Sequence, residues 1–184
     1  PAGGVPVGVA VSRALACPLH PLIVRKVQIP WNPEAGFGAV AWDGRVFLNK
    51  ELLAQLHLTP GQVEAAVRRA QANVRERVAR FGSTFPDPAG RSCIIVDDGL
   101  ASGFTMTAAA EALRSLGPRK VIVAVPTGSH AAVERVAKLV DWVVCLNIRT
   151  GYSFAVADAY EDWYDLSEEE AMGMIRGAVS PGHT

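Results

Sequence analysis

The stretch of this 184-residue chain with the most chemical content is Cys93-Ile94-Ile95-Val96-Asp97-Asp98-Gly99-Leu100-Ala101-Ser102-Gly103-Phe104-Thr105. An apolar run ends in two adjacent acids, and a loop of small residues then turns into a helix near Thr105. Such a run reads as a buried strand whose carboxyl end faces a helix N-terminus. In an open parallel sheet this is where unpaired N–H groups and a partial positive charge meet an anion. A phosphate fits there. Ser102 and Thr105 add hydroxyl donors and Gly103 lets the backbone approach closely, and each hydrogen bond to a charged phosphate contributes roughly 1.5–3 kcal/mol. The acids suit another part of a ligand. Two carboxylates about 5 Å apart repel by roughly 3 kcal/mol at an effective dielectric of about 20. Asp97 and Asp98 therefore call for hydroxyl donors, a cation or divergent side chains, and a ribose diol would supply the first of these. The plainer alternative is that Asp97 caps the loop and Asp98 faces water, since successive strand side chains point to opposite faces.

Regular alternation around this segment supplies the frame. After it come a helix to Leu116, a strand from Lys120 to Val125, a helix from Ala131 to Leu139 and a strand from Trp142 to Leu146. Met106, Ala109, Ala110, Leu113 and Leu116 recur at spacings of three and four, so one helical stripe faces a sheet. Continuous apolar strands joined by helical crossovers predict an α/β domain with an open, mainly parallel sheet covered on both faces. Upstream, Val5 to Leu15 reads as a helix, and Leu22-Ile23-Val24 reads as a buried strand ending in Arg25-Lys26. Pro30-Trp31-Asn32-Pro33 reads as a break. Asp43-Gly44 then joins Gly38–Trp42 to Arg45–Leu48 as a hairpin. Thr59-Pro60-Gly61-Gln62 opens a helix to about Phe81, ended by Gly82 and Pro86 and carrying Arg68, Arg69, Arg75, Arg77 and Arg80. The hairpin and this helix form an expected insertion from about Phe37 to Phe85. The tail mixes Asp158, Glu161, Asp162, Asp165, Glu168, Glu169 and Glu170 with Tyr160, Trp163 and Tyr164, and Ser167 with Glu170 matches a capping box.

Length and composition predict one domain with at most a small appended lobe. Lys plus Arg (18) balances Asp plus Glu (18), so no global field draws in nucleic acid or an acidic membrane. Cys17, Cys93 and Cys145 are odd in number and far apart, which argues against a disulfide framework and leads us to expect a reducing, cytoplasmic setting. No apolar run reaches the roughly 18 residues of a membrane span. His20, His57, His130 and His183 show no metal-ligand spacing, and neither a P-loop nor a dinucleotide fingerprint is present. Trp31, Trp42, Trp142 and Trp163 are expected in core or interface packing. With no initiator Met and a turn-like Pro1-Ala2-Gly3-Gly4, we expect polypeptide upstream of residue 1.

The segment from Cys93 to Thr105 resembles the signature of type I phosphoribosyltransferases, in which four apolar residues precede two acids and a Thr/Ser- and Gly-rich loop. Gly99 stands where a branched apolar residue is usual, Ala101 where Thr is common and Phe104 where a second Gly often sits. Pro1-Ala2-Gly3-Gly4-Val5-Pro6-Val7, Val24-Arg25-Lys26-Val27, Asn32-Pro33-Glu34 and Gly38-Ala39-Val40 are similar to a bacterial subgroup of that family. The resemblance implies transfer of a phosphoribosyl group from 5-phosphoribosyl 1-diphosphate (PRPP) to a nitrogenous acceptor, with Mg2+ held mainly through PRPP. It implies that Asp97 and Asp98 hold the ribose hydroxyls and that Ala101, Ser102, Gly103, Phe104 and Thr105 hold the 5-phosphate. Ala2, Gly3, Gly4, Arg25 and Lys26 are then expected to bind the pyrophosphate, Ala2 taking a place where Arg is common, and Tyr152 and Phe154 to close over the acceptor. A first strand is expected before the opening turn. Two rivals stand beside this reading: a PRPP-sensing regulator that binds nucleic acid through the Arg-rich helix, and an assembly module that uses the acidic tail. A homodimer is a further expectation.

Overall fold

A computed structural model describes residues 2–81, 86–151 and 154–178. Its order is α1 (Gly4–Leu15), β1 (Val24–Ile29), β2 (Asn32–Ala41), β3 (Val46–Leu48), α2 (Lys50–Leu56), α3 (Pro60–Phe81), β4 (Ser92–Val96), α4 (Phe104–Arg114), β5 (Lys120–Ser129), α5 (His130–Ala137), β6 (Trp142–Arg149), a 3-10 turn (Val156–Ala159) and α6 (Glu168–Ala178).

The alternating half forms the expected parallel sheet, β4-β5-β6, with Ile94 level with Ile122 and Ile122 with Trp142. The helices α4 and α5 touch one another and lie on the same face. There Met106, Ala109, Ala110, Leu113, Ala132 and Val136 bury against Ile95, Val121, Val123 and Val125, each large side chain contributing about 1.5–3 kcal/mol. Coverage of both faces was expected, and this differs. Along β6 the alternate residues Trp142, Val144, Leu146 and Ile148 are exposed, Leu146 at 82%. The physical reason is that both crossover helices lie on one side, while α1 and α6 pack together beside β4. The expected packing of the tryptophans holds for half-buried Trp42; Trp31 and Trp142 are 60% and 58% exposed, and Lys120 lies 4.2 Å over the Trp142 ring.

The other strands form an antiparallel sheet, β1-β2-β3. The Asp43-Gly44 hairpin is present, with Gly38 opposite Leu48, Val40 opposite Val46 and Gly44 at φ 86°. The expected break at Pro30-Trp31-Asn32-Pro33 narrows to two residues, because Ile29 already pairs with Asn32. Proline lacks a donor but is tolerated at the start of a strand and in an irregular ladder, and the register shifts here at Val27, Gln28 and Ile29. β2 pairs with β1, so the hairpin is joined in one sheet to the strand before it. Its sheet and α3 enclose a second cluster of Ile23, Val27, Ile29, Phe37, Val40, Ala70 and Val74, and Trp42 packs against both clusters.

The helix α3 begins at its predicted capping box: the Thr59 N–H donates to Gln62 Oε1 (2.9 Å) and the Gln62 N–H to Thr59 Oγ1 (3.3 Å). Three of its five arginines pair with glutamates of the same chain. Arg68 pairs with Glu64, Arg80 with Glu76, and Arg77 with Glu168 of α6 at 2.8 Å. Ser167 and Glu170 form the expected box at the start of α6. The short α2 was not foreseen, and Asn49 caps it by accepting the Leu52 N–H. Among the described residues no helix is long and apolar enough to cross a membrane.

Candidate functional site

The loop after β4 is fastened before it reaches the ligand face. Leu100, 2% exposed, donates its N–H to Thr127 O (3.0 Å) and accepts from the Ser129 N–H (2.9 Å), while Ser129 Oγ donates to Ala101 O (2.8 Å). The end of β5 thus holds the middle of the loop. Gly103 then adopts φ 76°, ψ −6°, a left-handed conformation that favours glycine, and starts α4 with no side-chain cap. That N-terminus points its first amides into the loop. The Phe104 ring turns aside, under the Arg135 guanidinium at 4.2 Å.

Together these elements make a cleft of about 240 Å³ walled by Asp97, Asp98, Gly99, Leu100, Ala101, Ser102, Gly103, Thr105 and Met106 from the loop and α4, Lys26 from β1, and Val156 from the 3-10 turn. The acid pair and the phosphate-type loop therefore share one cavity. Gly99 is explained by Val156, whose methyl carbons would lie 2.8 and 2.9 Å from a Cβ at that position.

The acids are held where ionisation is costly. Burial first, and then the negative charge of Asp98, push the Asp97 carboxyl up to about 6; burial raises Asp98 as well. The Asp98 N–H donates to Asp97 Oδ1 at 3.1 Å, so the Asp97 carboxyl is tied to the backbone of its neighbour. Since the folded pKa of Asp97 exceeds its ordinary 3.8, the folded chain holds an extra proton between these values, and stability falls as pH rises through that window. We expect the unfolding-temperature difference between Asp97→Asn and the parent to be near zero at about pH 3.5 and to widen in favour of the variant up to about pH 7. Scanning calorimetry across that range checks it.

The opening turn lies across the acids. A Cβ on Gly3 would overlap the Asp98 carboxylate, and one on Gly4 would sit 2.8 Å from Asp97 Oδ1 and 3.2 Å from Val96 O. Ala2 closes the turn by accepting the Val5 N–H at 3.1 Å. Arg25 and Lys26, adjacent in sequence, part company: Lys26 walls the cleft, whereas Arg25 is half-buried within reach of the charges of Arg77 and Glu168. Burial and then Arg77 lower its pKa, and Glu168 opposes them. Tyr152 lies outside the described residues, as does Pro1. Phe154 is half-buried, and the cleft wall is completed two residues later by Val156. Sequence reasoning missed Val156 and also Tyr160, whose hydroxyl donates to Asp98 O at 2.6 Å. Among the described residues no cluster of three or more His, Cys, Asp or Glu could cage a metal ion.

The model of the phosphoribosyl transferase domain matches residues 1–162. The Mycobacterium tuberculosis protein "Putative phosphoribosyl transferase Rv0571c" is 37% identical over 177 residues, which are 95% of this chain and 40% of that protein. The chain therefore spans well under half the length of this curated relative. A "Ribose-phosphate pyrophosphokinase" of Thermococcus kodakarensis is 43% identical over 63 residues, covering 33% of this chain and 22% of its own. Among solved structures, the crystal structure of TT1426 from Thermus thermophilus superposes with a TM-score of 0.77 at 32% identity, covering 96% of this chain and 84% of that one.

Proposed function

Because the chain belongs to the phosphoribosyl transferase family, we propose that it moves the 5-phosphoribosyl group of PRPP to a nitrogenous acceptor and releases pyrophosphate. The observation that carries this reading is the placing of an acid pair and an uncapped helix N-terminus with a small-residue loop on the walls of one cleft. The 5-phosphate binds Ala101 to Thr105 through backbone amides and the hydroxyls of Ser102 and Thr105. Asp97 and Asp98 accept the ribose hydroxyls, which relieves their mutual repulsion. Gly3, Gly4 and Lys26 serve the diphosphate, Lys26 by charge and the glycines by letting backbone come close.

In the reaction the C1–oxygen bond breaks with its electron pair leaving on pyrophosphate, the acceptor nitrogen forms the new bond to C1, and that nitrogen gives up its proton. Positive charge builds on the ribose ring while this happens, and the nearby carboxylates stabilise it more than they stabilise the ground state. The contribution of the chain is electrostatic and positional. Mg2+ would be held mainly through PRPP oxygens and water, as this ion prefers, with Asp97 and Asp98 the carboxylates of the cleft that could face it. Held so, it would supply positive charge against the leaving diphosphate.

Replacing Thr105 by Ala removes one charge-assisted hydrogen bond of about 1.5–3 kcal/mol, so PRPP affinity should drop by roughly 10- to 100-fold. Thr105→Ser should keep most of it; calorimetric titration of both variants decides. The activity itself is tested by pyrophosphate release from PRPP and Mg2+ in the presence of a panel of purine, pyrimidine and other nitrogenous acceptors. Acceptor-dependent release is expected for at least one, and release that ignores every acceptor counts against transfer. For the regulator reading, Arg68, Arg77 and Arg80 of the Arg-rich helix are engaged with glutamates of the same chain, while Arg69 and Arg75 are exposed.

A further inference from the structure

The chain returns to the cleft after β6. The 3-10 turn Val156–Ala159 is closed by Asp158, which accepts the Ala155 N–H at 3.4 Å, and by the Tyr160 N–H, which donates to Ala157 O at 3.1 Å. Val156 is thereby set against Gly99 and Tyr160 against Asp98. Tyr160 Oη donates to the Asp98 carbonyl at 2.6 Å, and its ring rests on Trp163 with centroids 5.2 Å apart and planes at 57°. Further on, Glu168 ties the same segment to Arg77 of α3. The peptide between Asp98 and Gly99 is thus gripped from outside β4 by a hydroxyl at one end and an isopropyl group at the other.

From this geometry we propose that Tyr160 is a positioning residue: its hydroxyl fixes the Asp98–Gly99 peptide, and so the direction in which the Asp98 carboxylate meets a ribose hydroxyl. The proposal rests on the reading of Asp97 and Asp98 as the diol site. A peptide with a free carbonyl can rotate about the flanking bonds. Gly99 is the residue least able to resist that rotation, having no side chain of its own. The hydroxyl removes this freedom at the one carbonyl that belongs to the acid itself. Tyr160 stays protonated as a donor, because burial and the charges of Asp98 and Asp97 all raise its pKa.

The role predicts a split between two ligands of the same cleft. Inorganic phosphate needs only the loop from Ala101 to Thr105, whereas PRPP also needs the aimed carboxylate. Calorimetric titrations of the whole chain with PRPP plus Mg2+, and separately with inorganic phosphate, should show Tyr160→Phe weakening PRPP about 5- to 20-fold while phosphate changes by less than about twofold. Trp163→Ala, which leaves the hydroxyl but unseats its ring, should weaken PRPP in the same direction by a smaller factor. Equal losses for both ligands would mean a merely structural role and overturn the proposal, as would a PRPP affinity unchanged in Tyr160→Phe. A parent chain that ignores PRPP, or an Asp98→Asn variant that binds it normally, would instead overturn the diol reading beneath it. The parent and Asp98→Asn titrations therefore separate the two failures.

Discussion

Asp98→Asn is expected to leave a folded protein that has lost phosphoribosyl transfer by a factor on the order of 100 or more. The amide keeps the shape of the carboxylate but not its charge, and removing one preorganised electrostatic partner of a transition state typically costs about 10²–10³ in rate. Stability should move the other way. The folded chain holds both carboxyls above their ordinary range, so ionising them opposes folding at neutral pH. For Asp97, a shift from 3.8 to about 6 corresponds to roughly 2–3 kcal/mol as an upper bound. The neutral isosteres at both positions should therefore unfold at higher temperature than the parent at pH 7, while pyrophosphate release falls. Variants that are less active and less stable together would indicate a structural cap instead of a ligand site.

Gly3→Ala is the second large effect. The new Cβ falls on the Asp98 carboxylate, which is the mobile end of a side chain and can swing aside. The fold should survive with a small change in unfolding temperature, yet the displaced acid no longer faces the sugar, and PRPP affinity should fall more than about tenfold. Gly4→Ala makes a useful contrast. Its Cβ meets backbone, the Asp97 Cα at 3.0 Å and Val96 O at 3.2 Å, which cannot turn away. That variant should lose stability by about 1–3 kcal/mol as well as binding. Thermal unfolding beside PRPP titration distinguishes the two glycines: binding lost with the fold intact for Gly3, both lost for Gly4.

What could be read before the structure was local. The run from Cys93 to Thr105 carries its strand, acids and helix start within 13 consecutive residues, so its place on the sheet followed from adjacent residues alone. The capping pairs Thr59/Gln62 and Ser167/Glu170 were legible for the same reason. What was hidden depends on chain returning from afar. Nothing around Tyr160 marks it as a partner of a backbone carbonyl 62 residues earlier, and Val156 shows as a site residue only once Gly99 is seen to lack a side chain. The parting of Arg25 and Lys26 was half legible: strand alternation sends neighbours to opposite faces, but which face is the cleft depends on how β1 and β4 are placed. The open face of β6 was misjudged because a continuous apolar strand implies cover on both sides, and the strand's own residues do not reveal whether a helix is there.

In the proposed reaction one cleft grips a pentose by its diol and its phosphate at once. A calorimetric comparison of PRPP plus Mg2+ with ribose 5-phosphate and inorganic phosphate, on the parent and on Asp97→Asn/Asp98→Asn, tests it most directly. Affinity should rise from phosphate to ribose 5-phosphate to PRPP in the parent, with the gain from the sugar abolished in the double variant and phosphate binding retained. A parent that binds all three equally, or a double variant that keeps its preference for the sugar, would contradict it.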